Sequence, residues 1–430
     1  MGLSYAHGAI QWLSADAVNT TYVISGLAFQ PKALRFWWVG INSSTDATST
    51  TADERRGMGF ATSTSNRRSC GTLSFDNAAT ATCAAFTDDA SIAATVNLVG
   101  AIDAQLDLNV IANDGFTAIV DDVIPANLTV FWEAWGGSDI TVATAGDFAT
   151  PAAGGNQSYT VTGFTAGASD QMLFFAGTQH IGSIPGGVIE SSGFCLGATT
   201  GTDSTKNIMM GGNSVNLALT MDTDGWCHTG ECLGMIPTAG GAALDMRATL
   251  SSFDTNAFTL NYLESAVVNR KFIFLAIKGG SWQAGSYTIN NTTIGNTATV
   301  SGLPFAPSGL NLLGRGRAEQ AADVTTTEDG LALGCGTSPT NRRTQGVADA
   351  DAVATSEIRT SIRYASVLTT ITNTTGDFDL NAMNSDGFQI IVQVVPATDL
   401  ASEWQGYVAF GDAPVAGGAA LMGQLVVVNP

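Results

Sequence analysis

Short apolar runs set the rhythm of this chain. Stretches such as Ala9-Ile10-Gln11-Trp12-Leu13 and Ala33-Leu34-Arg35-Phe36-Trp37-Trp38-Val39-Gly40 have strand length, with Thr21-Tyr22-Val23-Ile24-Ser25-Gly26-Leu27-Ala28-Phe29-Gln30-Pro31 between them, and Gly, Asn, Asp and Pro punctuate the chain. Leu106-Asp107-Leu108-Asn109-Val110 alternates apolar and polar positions, as a half-buried strand does. Asn113-Asp114-Gly115-Phe116 behind it predicts a hairpin with a type I′ turn. No window keeps the i, i+3, i+4, i+7 apolar spacing of a helix over three turns. The pattern predicts an all-β protein of antiparallel sandwiches, jelly-roll-like or Greek-key-like.

The pattern also recurs. Gly59-Phe60-Ala61-Thr62-Ser63-Thr64-Ser65-Asn66-Arg67-Arg68-Ser69-Cys70-Gly71 returns as Gly334-Cys335-Gly336-Thr337-Ser338-Pro339-Thr340-Asn341-Arg342-Arg343-Thr344-Gln345-Gly346, in the frame G-x-x-T-S-x-x-N-R-R-x-x-G. The gap is about twice a domain length, which calls for a diverged copy between them. Val161-Thr162-Gly163-Phe164 and Met172-Leu173-Phe174-Phe175-Ala176-Gly177 answer the early strands of the first copy, and Thr255-Asn256-Ala257-Phe258 stands where the others have Asp-Gly-Phe. A longer or less regular turn is expected there. Each copy closes on an apolar strand ending in small residues, as in Val130-Phe131-Trp132-Glu133-Ala134-Trp135-Gly136-Gly137 and Ile273-Phe274-Leu275-Ala276-Ile277-Lys278-Gly279-Gly280. These endings predict three tandem domains from a repeat of about 140 residues, at 1–137, 138–280 (the most diverged) and 281–412. A tail at 413–430 carries the apolar strand Leu425-Val426-Val427-Val428, which needs an edge to pair with. The short linkers argue for copies packed against one another.

Composition narrows the function. The 430 residues hold 17 Lys+Arg against 37 Asp+Glu, a net charge of -20, which excludes nucleic-acid binding through a basic patch. Only 13% of residues are charged and 49 are Gly, as suits turn-rich β structure. No apolar stretch is long enough for a membrane-spanning helix. The start, Met1-Gly2-Leu3-Ser4-Tyr5-Ala6, has no basic and apolar leader, and the six Cys do not recur in every copy, so synthesis in a cytoplasm without a disulfide framework is expected.

Candidate chemistry is sparse. Cys227-His228-Thr229-Gly230-Glu231-Cys232 has metal-ligand residue types but no second Cys/His pair to complete a tetrahedral site, so a loop or an incidental thiol pair is the better reading. The pairs at Asp88-Asp89, Asp121-Asp122 and Asp349-Ala350-Asp351 fit no calcium loop. Arg67, Arg68, Arg342 and Arg343 are candidates for inter-domain or partner contacts, since guanidinium forks pair with carboxylates. On a strand only one Arg of each pair can join a given site. Nucleophile-elbow, phosphate-loop and zinc-protease motifs are missing, so no catalytic residue, metal or cofactor is assigned. Trp226 and Trp404 are the best candidates for exposed, glycan-stacking aromatics, while the other Trp residues read as core or interface.

Gly26, Phe29 and Pro31, copied at Gly302, Phe305 and Pro307, together with the Asp-Gly-Phe hairpins and the closing strands, resemble the repeated β-sandwich modules of virion structural proteins of tailed bacteriophages, particularly marine ones. A fainter similarity is to H-type lectin domains. The phage resemblance implies a non-enzymatic virion protein, assembled in the host cytoplasm and oligomeric or pseudo-threefold in the particle, with other virion proteins as partners. Capsid decoration or cement is the leading expectation. A tail fibre or baseplate adhesin for a host surface glycan is the alternative.

Overall fold

The computed structural model describes residues 2–51, 53–75, 82–189, 192–215, 222–237, 243–266, 268–320, 328–350, 356–368, 376–395 and 402–413. Among the described residues there are 32 strands, one 3-10 turn at Ser204–Lys206 and no α-helix. The chain opens with β1 Leu3–Trp12, β2 Thr21–Ile24, β3 Pro31–Val39, β4 Ala47–Thr51, β5 Asp53–Ser63, β6 Asn66–Phe75, β7 Thr82–Asp88, β8 Ala93–Val96, β9 Ile102–Ala112, β10 Gly115–Asp122 and β11 Leu128–Gly137. It continues with β12 Val142–Ala149, β13 Gly155–Thr160, β14 Gln171–Thr178, β15 Gly186–Ile189, β16 Phe194–Thr199, β17 Asn207–Val215, β18 Asp222–Thr229, β19 Leu233–Met235, β20 Met246–Asp254, β21 Ala257–Glu264 and β22 Lys271–Lys278. The last stretch holds β23 Ser281–Ile289, β24 Thr297–Val300, β25 Gly309–Gly314, β26 Glu328–Ser338, β27 Asn341–Ala350, β28 Ser356–Ser361, β29 Ser366–Leu368, β30 Gly376–Asn384, β31 Gly387–Val394 and β32 Glu403–Gly411.

Three large antiparallel sheets share one strand order: β1-β11-β3-β5-β6-β7, β12-β22-β14-β16-β17-β18 and β23-β32-β25-β26-β27-β28. Each faces a four-stranded sheet, β2-β10-β9-β8, β13-β21-β20-β19 and β24-β31-β30-β29. The alternation seen in the sequence now has a direction. One face of each large sheet meets its small sheet, giving three separate apolar cores around Trp38 and Phe116, Phe175 and Phe258, and Leu312 and Phe388. The opposite faces of all three large sheets meet one another in a fourth core, which holds Trp37, Trp135, Phe174, Leu275, Trp282 and Phe410. Strands with both faces covered read as continuous apolar runs, which is why Ala33 to Val39 lacks alternation.

The sequence boundaries at 137/138 and 280/281 fall between β11 and β12 and between β22 and β23. The strand expected at Leu425-Val426-Val427-Val428 lies outside the described residues. The turn predictions need correction. All three equivalent hairpins have two-residue turns, because Ala112 pairs with Gly115, Asp254 with Ala257 and Asn384 with Gly387. A type I′ turn needs positive φ at both central residues: neither Asn113 nor Asp114 has it, and in the second hairpin Asn256 has it, at 60°, but Thr255 does not. Gly115 and Gly387 are there for closeness: a Cβ would stand 1.9 Å from the carbonyl oxygen of Ile24 or of Val300.

Candidate functional site

The two edge strands left over, β4 and β15, do not serve the sheets they grow from. β15 leaves β14 of the second sheet pair and pairs with β7, from Gly186 against Thr87 to Ile189 against Ala84. β4 leaves β3 of the first and pairs with β28, from Ala47 against Thr360 to Thr51 against Ser356. The third sheet pair makes the same gesture after β25: the Gln320 backbone N–H donates to the Cys227 carbonyl on β18 at 3.2 Å, and the Gln320 Oε1 accepts from Cys227 N at 2.9 Å. Second reaches to first, first to third and third to second. The exchange closes a ring.

At the centre of the ring, matching register positions carry Arg35, Phe174 and Asn311, opposite Glu133, Leu275 and Val408. Glu133 is fully buried and is satisfied from two sheet pairs: Arg35 Nε donates to its Oε2 at 2.6 Å, and Tyr5 Oη and Asn311 Nδ2 both donate to its Oε1. Arg35 in turn stands over Phe174 of the second sheet pair, 4.5 Å from the ring centre. Burial pushes the Glu133 carboxyl up, and Arg35 is the main influence in the other direction. Burial also raises the Tyr5 hydroxyl well above the usual tyrosine range, so it stays a donor. A buried carboxylate with unfilled oxygens costs on the order of several kcal/mol, and here the filling groups come from different parts of the ring.

The Asn-Arg-Arg segments send their two arginines to opposite faces. Arg67 forms an ion pair with Asp107, and its Nη2 donates to Asp107 Oδ2 at 2.7 Å. Arg342 grips Asp379 with two bonds of 2.8 and 2.7 Å. Both tie a large sheet to its own small sheet. Each aspartate also accepts the amide of the next residue, Leu108 or Leu380, beside a β-bulge. In the second sheet pair Asn207 replaces the arginine, and its Oδ1 accepts the corresponding Leu250 amide at 3.2 Å. The three positions solve one problem, an amide freed by a bulge.

The second arginine of each pair points across a seam. Arg68 forms an ion pair with Asp147 on β12. Arg343 Nε donates to His7 Nδ1 on β1 at 2.7 Å and lies 5.3 Å from the Phe131 ring centre. The register places Ile208 at the equivalent position of β17, where it packs over Gly406 of β32. One seam is ionic, one apolar, and one joins a cation to an imidazole.

Trp226 and Trp404 are not exposed; each is 1% accessible. Trp226 lies between the second pair of sheets, over Gly211 on the neighbouring strand. Trp404 sits in the central core and its Nε1 donates to Thr229 Oγ1 at 3.0 Å. Neither offers a ring face to a sugar, and the expectation of exposure fails because both strands are covered on both sides. Cys227 and Cys232 lie in different cores, and among the described residues no group of three or more His, Cys, Asp or Glu is placed to hold a metal ion. Burial pushes the Cys83 and Cys195 thiols up to about 12. An open groove of about 500 Å³ runs between the first and second sheet pairs, lined by Lys32, Thr62, Ser63, Thr64, Ile140 and Val142 among others. Lys32 spends its ammonium on the Ile140 carbonyl at 2.7 Å. Comparison with protein-family models and with curated proteins gives no match.

Proposed function

We propose that this chain is a non-enzymatic structural protein of a tailed bacteriophage virion, made of three tandem jelly-roll-like β-sandwich modules in a pseudo-threefold ring, and that it decorates or cements the capsid. The observation that carries the reading is the cyclic reach between sheet pairs: β15 of the second onto the first, β4 of the first onto the third, and Gln320 of the third onto the second. A homotrimer obtains such an arrangement from symmetry; here three related modules in one chain supply it. A body of this shape suits a local threefold position on a lattice, one chain per position. The shared strand order and the matched Arg67 and Arg342 clasps support the tandem-repeat part of the proposal. The virion part rests on the sequence resemblance. A net charge of -20 favours a basic neighbour in the particle and disfavours nucleic acid.

The test is cryo-electron microscopy of the particle that carries the protein. Density for the ring at local threefold positions of the head is expected. Density at the tail tip or on fibres would overturn capsid decoration and make the groove beside Thr62 and Ile140 the first place to look for a bound glycan.

A further inference from the structure

We propose that His7 and Arg343 form an acid-sensitive latch on the one seam of the ring that no linker crosses. The inference rests on the strand exchange and not on the virion assignment. Residues 138–141 join the first sheet pair to the second, and Gly279 and Gly280 join the second to the third. The seam between third and first has no such covalent bridge. It is held by the β4 and β28 pairing, by Asp46 accepting from Ser361 Oγ, Ile362 N and Arg363 Nε, by Gln345 Nε2 donating to the Thr129 carbonyl at 3.3 Å, by Asn311 on Glu133, by Leu3 N donating to Asp412 Oδ1 at 2.8 Å, and by Arg343 on His7.

The His7 bond works in only one protonation state. Arg343 is a donor and nothing else, so His7 Nδ1 must be the lone-pair nitrogen and its proton sits on Nε2. Adding a proton at Nδ1 sets N–H against N–H and puts two cations in contact. The surroundings give the extra charge little relief. From β27, Arg343 and the Asn341 carbonyl face the ring. From β11, Glu133 stands opposite in register but is already engaged by Arg35, Tyr5 and Asn311. From β1 the Tyr5 ring lies 5.7 Å away, and Cys335 on β26 is kept a neutral thiol by burial. His7 Nε2 is buried with no hydrogen-bond partner. Burial first, and Arg343 second, hold the imidazole down at about 3 against an ordinary 6.5, with only the Asn341 carbonyl pulling upward.

At the position equivalent to Arg343 the other seams set no cation against an imidazole: Arg68 meets a carboxylate and Ile208 meets apolar surface. Opening the unlinked seam frees His7 to take up a proton, so acid favours the open form between 6.5 and about 3. One proton gives at most about a tenfold gain in opening per pH unit.

The experiment is hydrogen exchange by mass spectrometry on the full chain, at about pH 7 and about pH 5, with rates normalised to the intrinsic exchange at each pH. Peptides covering β4 and β28 report the unlinked seam. Their protection is expected to fall on acidification in the wild type. His7→Asn keeps an acceptor for Arg343 and does not titrate, so its β4 and β28 protection should change little. His7→Gln is a second acceptor that does not titrate, and its protection should hold likewise. An equal fall in wild type and His7→Asn overturns the latch, and so does an equal fall in wild type and His7→Gln should His7→Asn not fold.

Discussion

Adjacent residues in this protein hold different things together. Arg67 fastens its own sandwich and Arg68 fastens the next one, because neighbouring strand residues leave on opposite faces. That split is legible in the Asn-Arg-Arg sequence; the destinations are not, since the partners Asp147 and His7 lie far along the chain. The same blindness explains the Trp residues. Indoles at Trp226 and Trp404 look alike to sequence whether their strand has one covered face or two, and here both faces are covered. A buried acid gives a direct check on the packing. Glu403, 1% exposed, accepts from Asn291 Nδ2; burial raises its carboxyl to about 8 from 4.5, against the opposing pull of Asn291 and Arg317. The folded state therefore keeps a proton that the unfolded chain has lost, so this stabilisation is complete below 4.5 and disappears as pH rises through 8. The Glu403→Gln variant should lack that decline, a difference of roughly 5 kcal/mol accumulated across the window, read from urea unfolding at a series of pH values. Parallel curves for the two proteins would contradict the burial. His180 has the opposite sign: burial and Lys271 lower it to about 4, so its contribution falls away below 6.5.

Strands and hairpin positions were mostly visible in the apolar pattern, because a covered strand must be apolar and a hairpin must contain residues that turn; the turn types were not. The edge strands β4 and β15 were not. Ala47-Thr48-Ser49-Thr50-Thr51 and Gly186-Gly187-Val188-Ile189 carry little apolar signal, since an edge strand gains its place from backbone hydrogen bonds to a sheet built elsewhere in the chain. Those two short elements nevertheless decide how the sandwiches are joined. Gly187 marks the tightest point of one of them, where an added Cβ would stand 2.4 Å from the Gly100 carbonyl oxygen and 2.9 Å from that of Ala85. Both obstacles are backbone and have little room to yield. Gly187→Val should lift β15 from β7, lowering stability by about 2 kcal/mol and exposing the outer amides of β7 to exchange, while β4 and β28 stay protected. Unchanged exchange at β7 would show that the exchanged edge does not hold this seam.

The molecule as a whole is more closed than three linked sandwiches need be. Each sandwich has a core of its own, yet the largest apolar cluster belongs to all three; the second and first lend edge strands to their neighbours, and the third reaches the second through the Gln320 hydrogen bonds. The repeated Asn-Arg-Arg frame leads one to expect three copies and the short linkers to expect packing, but neither says whether the last sheet pair returns to the first. That depends on where Gly2 to Leu3 and Asp412 to Ala413 end up, and they meet: Leu3 N and Asp412 Oδ1 are 2.8 Å apart, and Ala413 N donates to Asp139 Oδ2 at 2.9 Å. Ring closure is the central claim, and small-angle X-ray scattering of the purified chain at low concentration tests it most directly. A closed ring of this length should have a radius of gyration of about 22 Å, the value for one compact body. A value of roughly 30 Å or more, as expected for three sandwiches laid end to end, would contradict the closure.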